Sequence, residues 1–387
     1  MTHSSVVFAV FVVFAGAAVL ATAALFARQA MIVAYIVIGT LLGPGGLGLV
    51  RDAGWLHEVS EIGIMFLLYL LGLNMVPRQL LQMLKEALEV TLGSALAFAL
   101  LGAGIAFAAG FEWRDALITG AAMMFSSTII GLKLLPTTAL HHQHTGQVMI
   151  SVLLLQDLIA ILVLLLIEGL SGSGGNGLAL KLLALPLLIA VASVLERWVV
   201  EPLLQRFDQI HEYLFLVVIA WCLSIAELAR FLGLSHEIGA FIAGVSLAAC
   251  PVSMFVADSL RPLRDFFLIL FFFSLGASLD LVAARETLLP AVLLAAVMLA
   301  AKPIIFKKLL TLAGESHKLA QEAGIRLGQI SEFSLLITVL ALESGFVSAK
   351  ASNLIQVAAI LSFIGSSYLI VMRYPTPIAV RENLRRD

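Results

Sequence analysis

Charged side chains are scarce in this sequence. Asp, Glu, Lys and Arg make up 12% of its 387 residues, against roughly a quarter in a soluble domain. There is no acidic or basic tail, no Ser/Pro stalk and no low-complexity segment. The only two cysteines, Cys222 and Cys250, lie in apolar surroundings without disulfide or metal-ligand spacing. Only His3 precedes the first apolar stretch, which runs on into another at Met31. Without a basic leader it reads as a retained transmembrane helix and not a cleaved signal. A formal charge of −2 says nothing about partners and gives no reason to expect nucleic acid.

What fills the chain instead is hydrophobic: 61% of residues, with a mean hydropathy of +1.06. Roughly 20 apolar residues cross a bilayer as a helix, and runs of that length recur from Val6 to the end. The sequence predicts an all-α polytopic membrane protein, a single domain over 1–387, with thirteen spans. These cover about 6–26, 30–49, 57–76, 86–110, 115–135, 146–168, 180–200, 213–232, 235–250, 264–282, 288–309, 323–343 and 352–373. Basic residues favour the cytoplasmic side. Fifteen Lys and Arg fall on one side and six on the other, with Lys302 and Arg326 inside spans. The N-terminus is therefore expected outside and the C-terminus in the cytoplasm.

An internal repeat is visible. FLLYLLGLNM (66–75) and LFFFSLGASL (270–279) align with Gly72 and Gly276 204 residues apart; Gly39 and Gly244 are 205 apart, and Ser127 and Ser331 204. Equivalent spans lie seven apart, an odd number, so the second copy is expected upside down. Inverted repeats of this kind mark transporters, with the substrate site at the repeat interface.

Asp157 stands in the sixth span, after Gln156 and among leucines and isoleucines. A carboxylate at membrane depth costs about 3 kcal/mol or several times that, so it marks an ion or proton path more often than a buried structural bond. Spans five and twelve carry matched polar breaks: Ser126, Ser127 and Thr128 in one, Gly328, Gln329, Ser331 and Glu332 in the other. Ser and Thr can bond back to the preceding turn of an ordinary helix. The matched positions favour discontinuous helices, whose free backbone groups are tolerated only beside a cavity or other protein. Lys302, followed by Pro303, needs a carboxylate or a helix C-terminus if it stays charged at depth; snorkelling toward Lys307 is the alternative. Asp157 and Glu332 can offset Lys302 and Arg326. Whichever ligand Asp157 takes, proton or cation, the cluster ends at the same charge, which points to one-for-one, electroneutral exchange if Lys302 stays protonated throughout. Arg326 and Glu332 are read as structural pairing in the first instance. His141, His142 and His144 read as a solvated loop, Glu227 and Asp280 as span ends, and Gly43-Pro44-Gly45-Gly46 as a turn.

Taken together these blocks resemble the second cation–proton antiporter family, in its Kef-type potassium efflux branch. The resemblance is carried by IGTLLGPGGLGLV (38–50), EIGIMFLLYLLGLNM (61–75), FSSTIIGLKLL (125–135), Gln156-Asp157 and LSHEIGAFIAGVSLA (234–248). It continues through FFLILFFFSLGASLDL (266–281), Lys302-Pro303 and LGQISEF (327–333). It implies the sodium–proton antiporter-like fold with inverted repeats and two broken crossover helices. It further implies a homodimer in a bacterial inner membrane, with a dimerisation part (6–76 and 213–282), a linker helix (180–200) and a mobile core (86–168 and 288–373). The implied cation and proton site is Asp157 with Gln156, Thr128 and Ser127, with K⁺ or Na⁺ at Asp157. Lys302, Glu332 and Arg326 would compensate charge.

Glutamine at 156, where sodium-exchanging relatives commonly have a second acid, favours K⁺/H⁺ exchange, with Na⁺/H⁺ exchange as the alternative. Asn74 stands where relatives often have an acid. No Gly-rich strand–turn–helix comes after Tyr374-Pro375 and no acidic run occupies 251–265. Control by NAD or glutathione is therefore not expected, and no cytoplasmic nucleotide-binding regulatory domain is expected within 1–387. A channel would want a ring of carbonyls or charges and a membrane protease two acids. Neither pattern is present, so no enzyme and no cofactor is expected.

Overall fold

The computed structural model describes residues 6–50, 53–73, 75, 77–134, 144–171, 175–207, 209–250, 253–279 and 281–376. Among them the elements are all helices. The first half comprises α1 (Val6–Phe26), α2 (Met31–Leu42), α3 (Ala53–Leu73), a long α4 (Pro77–Ala108), a pass split into α5 (Trp113–Met123) and α6 (Thr128–Lys133), and α7 (His144–Ser171). A connecting pass comes next: α8 (Gly175–Leu195), a π-helical turn (Glu196–Val200) and α9 (Glu201–Arg206). The second half comprises α10 (His211–Phe231), α11 (His236–Leu247), α12 (Ser253–Ala277), α13 (Leu281–Leu312), the split pair α14 (His317–Arg326) and α15 (Glu332–Glu343), and α16 (Ala349–Arg373). With each split pass counted once, these are the thirteen passes expected.

Seven of these helices are long and apolar enough to cross a membrane. Their outer faces are apolar too. On α4, Leu96, Leu100 and Phe107 are exposed while Ala95, Phe98 and Ala106 are buried, an arrangement that suits hydrocarbon and not water. Serines set several helix starts: Ser235, Ser316, Ser331 and Ser348 each accept a backbone N–H of the first turn, as N-caps do.

The span limits read from hydropathy are too short at several charged ends. The tenth span, expected over 264–282, begins at Ser253, so most of 251–265 is helix and not loop, with Pro262 inside it. Arg261 and Asp258, one turn apart, pair there at 2.9 Å. An apolar run reports the thickness of hydrocarbon to be crossed, whereas a helix continues into the aqueous layer wherever its backbone bonds do. For the same reason α4 and α13 begin at Pro77 and Leu281, ahead of the expected 86 and 288.

The repeat is structural. Helices α1 and α10, and α2 and α11, have starts and ends displaced by 205 residues; α4 and α13 begin and end 204 apart. Two packing seams obey the same symmetry. A Cβ on Gly39 of α2 would lie 2.0 Å from the Phe273 carbonyl oxygen on α12, and one on Gly276 of α12 would lie 2.0 Å from that of Ile36 on α2. The counterpart seam joins α3 to α11, where a Cβ on Gly72 would meet the Phe241 carbonyl at 2.5 Å and one on Gly244 the Tyr69 carbonyl at 2.1 Å. The pair α2–α12 thus maps onto α11–α3. Small residues of this kind let helix backbones touch inside a membrane.

Contacts gather the helices into two bundles. Helices α1, α2, α3, α10, α11 and α12 pack on one another; α4, α5, α7 and α13 to α16 form the other group, and α8 lies against α11.

Candidate functional site

Helix α5 stops at Met123 and α6 starts at Thr128; α14 stops at Arg326 and α15 starts at Glu332. Both interruptions end in a serine that caps the next helix. Ser127 Oγ accepts the Ile130 N–H at 3.1 Å, and Ser331 Oγ accepts the Phe333 N–H at 3.1 Å. The four-residue and five-residue gaps, 124–127 and 327–331, leave backbone groups that water cannot reach. Side chains take them instead. Gln156 Oε1 accepts the Ser126 N–H at 2.9 Å, and its Nε2 donates to the Met124 carbonyl at 3.4 Å. Gln329 Nε2 donates to the Ser127 carbonyl at 3.1 Å, while Ser366 Oγ donates to Gln329 Oε1 at 2.9 Å. Ser362 Oγ accepts the Ile330 N–H at 3.0 Å, and Ser334 Oγ donates to the Ala122 carbonyl.

Two charges complete the crossover. Lys302 is fully buried. Its ammonium donates to the Phe125 carbonyl at 2.5 Å and the Gln329 carbonyl at 3.1 Å, beyond the C-terminal ends of α5 and α14, where positive charge is favoured. Phe125 and Gln329 are repeat equivalents, 204 residues apart, so Lys302 straddles the pseudo-twofold. The position equivalent to Lys302 in the first copy is Phe98, whose ring lies 4.9 Å beneath the same ammonium. On the opposite polarity, Thr128 Oγ1 donates to Glu332 Oε1 at 2.5 Å across a sequence separation of 204. The first residues of α6 and α15 are therefore equivalent and meet face to face. Of the two alternatives left open for Lys302, a helix C-terminus is what the structure supplies.

Asp157 is different. It is completely buried, beside the Gln156 that holds the first break, and neither carboxylate oxygen has a hydrogen-bond partner among the described residues. Its equivalent in the second copy, 204 residues on, is Leu361.

Residues 9–373 match the family model described as sodium/hydrogen exchanger, transmembrane. The chain belongs to this family. The fold is similar to that of the sodium proton antiporter MjNhaP1 from Methanocaldococcus jannaschii at pH 8, with a TM-score of 0.72 and 15% identity over 94% of this chain and 95% of that one. At such identity the likeness is one of fold.

Within this exchanger the structure brings Asp157, Gln156, Ser127, Thr128, Lys302 and Glu332 to one crossover. It does not bring Arg326 there. That guanidinium pairs with Glu322 at 2.9 Å and donates to the Leu134 and Pro375 carbonyls, each at 2.9 Å, so it ties the end of α14 to the chain after α6 and to the segment beyond α16. The sequence reading missed Ser334, Ser362 and Ser366; their signal was a set of hydroxyls on α15 and α16 with nothing to distinguish them from helix-internal serines. His144 sits 3.0 Å from Glu315; His141, His142, Asn74 and Asp280 lie outside the described residues. No group of three or more His, Cys, Asp or Glu side chains converges among the described residues.

Proposed function

We propose that this exchanger swaps one K⁺ for one proton at Asp157 by alternating access. One observation carries the reading: both other charges of the crossover are engaged, while a fully buried carboxylate keeps two unpartnered oxygens. A carboxylate buried in that way does not persist ionised and empty, because its desolvation is uncompensated. It takes a proton or a dehydrated cation, and the two exclude each other. Either ligand adds one positive charge, and Lys302 balances Glu332 before and after. The swap is then one for one and electroneutral as long as Lys302 stays protonated.

The moving part in this reading is the bundle that holds the crossover (86–168 and 288–373). It rocks against a dimerisation part (6–76 and 213–282) reached through the linker helix (180–200). The glycine seams suit a rigid frame and the side-chain-satisfied breaks suit the moving core. The distribution of basic residues supports an exterior N-terminus and a cytoplasmic C-terminus in a bacterial inner membrane. Potassium is favoured by glutamine at 156 and by the Kef-like runs. Sodium is the second reading, favoured by the family description and by the name of the similar structure.

The test is proton flux in proteoliposomes driven by K⁺, Na⁺, Rb⁺ or Li⁺ in turn. Wild-type protein is expected to respond most strongly to K⁺ and Rb⁺; a response to Na⁺ and Li⁺ alone transfers the assignment to sodium. Asp157→Asn is expected to reduce exchange to background while the purified protein stays monodisperse. Undiminished cation-dependent flux in that variant removes Asp157 from the mechanism.

A further inference from the structure

Between the two bundles lies a cavity of about 530 Å³. Its walls come from the ends of α3, α11 and α12 on one side and of α15 and α16 on the other; Asp157 is not among them. These ends face the exterior in the proposed orientation. Two exposed acids, Glu61 and Glu343, stand on the cavity wall, but three more buried side chains decide its chemistry.

Glu237, in the first turn of α11, is 8% exposed and has no hydrogen bond or ion pair among the described residues. Asn353 and Gln356, on the face of α16 across the cavity, are each 6% exposed. Gln356 Nε2 donates to Ser352 Oγ at 3.0 Å, yet its Oε1 has no partner among the described residues; Asn353 makes no side-chain hydrogen bond among them either. Gln356 Oε1 is withdrawn from water without a partner, which is costly, while the Glu237 carboxylate and the Asn353 amide line the cavity with no protein partner among the described residues and are open to a shared ligand. The oxygens on offer are one carboxylate and two amide carbonyls. Hard oxygen donors of this kind bind alkali and alkaline-earth ions, but high-affinity divalent sites gather several carboxylates, and no such group converges here among the described residues.

We infer that Glu237, Asn353 and Gln356 form a second monovalent-cation site, an exterior waiting site that the ion occupies partly hydrated before it reaches Asp157. The cavity has room for the ion together with water. Because the donors belong to both bundles, an ion held there also bridges them and favours the arrangement open to the exterior. The identity of the ion as a transported alkali cation rests on the exchange reading above; the site itself does not need Asp157.

The experiment measures equilibrium binding of radioactive rubidium and radioactive sodium to the purified full chain. Asp157→Asn, which has lost the inner site, is expected to retain one saturable component for at least one of the two ions. Adding Glu237→Gln in that background is expected to abolish it, and Asn353→Leu, from the opposite bundle, to weaken it by about ten-fold, the equivalent of one good ligand. In proteoliposomes, Glu237→Gln alone is expected to raise the half-saturating exterior cation concentration by about five-fold while leaving the interior value unchanged. Absence of binding in Asp157→Asn, or binding that survives both cavity substitutions, overturns the waiting site. Exchange that survives in Asp157→Asn instead overturns the transport reading and leaves the binding result standing.

Discussion

The glycine seams and the broken crossover face the same problem, two stretches of backbone brought into contact inside a membrane, and they solve it in opposite ways. At the seams the helices stay whole. Gly39 and Gly276 on one pair, and Gly72 and Gly244 on the other, remove every side-chain atom between the backbones, and the two pairs are copies of one another. At the crossover the helices are cut, and Gln156, Gln329, Ser362, Ser334 and Lys302 bond to the freed groups. The seams are symmetric in residue type; the crossover is symmetric in backbone but not in side chains. Phe98 answers Lys302, Thr128 answers Glu332 and Leu361 answers Asp157. Each pair keeps the charge in one copy only. The two copies share the frame and differ in the charges.

The largest expected effect comes from breaking a seam. Gly276→Val places side-chain atoms where the Ile36 carbonyl already lies 2.0 Å from a Cβ, and because the obstacle is backbone it cannot swing away. A cost of at least about 3 kcal/mol is expected, the upper end of overpacking, read as loss of the monodisperse peak and a fall in melting temperature. Gly104→Ala, on α4 with nothing within 4 Å of its Cβ, is the matched control and is expected to be neutral or slightly stabilising. Equal behaviour of the two variants would mean the seam is not the rigid element.

The second break is at the crossover. Lys302→Met keeps the length of the side chain but strips the Phe125 and Gln329 carbonyls of their shared donor. Each orphaned acceptor costs about 1–3 kcal/mol, partly regained because the ammonium no longer has to be desolvated. Folding is expected to survive. Exchange is expected to fall to a small fraction or to be lost, since the charge that balances Glu332 is gone, while any residual one-for-one swap at Asp157 stays electroneutral. Proton flux in potassium-loaded vesicles reads the loss, and undiminished flux would show that Lys302 plays no part in balancing Glu332.

Much of this architecture is legible in the chain. Apolar run length predicts thirteen passes because hydrocarbon thickness is nearly constant. The 204-residue offset predicts the inversion because equivalent spans differ by an odd number. Asp157 stands out because an acid among leucines has few structural excuses. What stays hidden are pairings between distant segments. Lys302 reaches a carbonyl 177 residues away, and nothing local tells a carboxylate partner from a helix end. Arg326, also buried, goes to Glu322 one turn back and to two carbonyls, although charge counting groups it with Asp157. Helix ends such as Ser253 escape for a simpler reason: the residues that extend them are charged.

The smallest expected effect tests a hydrogen bond that joins the two copies at equivalent residues. Thr128 Oγ1 donates to Glu332 Oε1 at 2.5 Å, a charge-assisted bond between a half-buried hydroxyl and a buried carboxylate. Thr128→Val preserves shape and removes the donor, so Glu332 keeps its burial and loses a partner. A bond to a charged group contributes about 1.5–3 kcal/mol net, and Glu332 retains a longer contact with Ser331 Oγ at 3.5 Å that offsets part of the loss. A melting-temperature drop of a few degrees is expected, with exchange reduced several-fold and Thr128→Ser restoring both. The glycine seams should not notice: the same valine substitution is predicted to leave the purified protein monodisperse, because it loosens the side-chain-bonded crossover and not the frame. Loss of the monodisperse peak together with exchange in Thr128→Val would show that crossover and frame are one cooperative unit, and the division between a rigid part and a moving part would have to be drawn elsewhere.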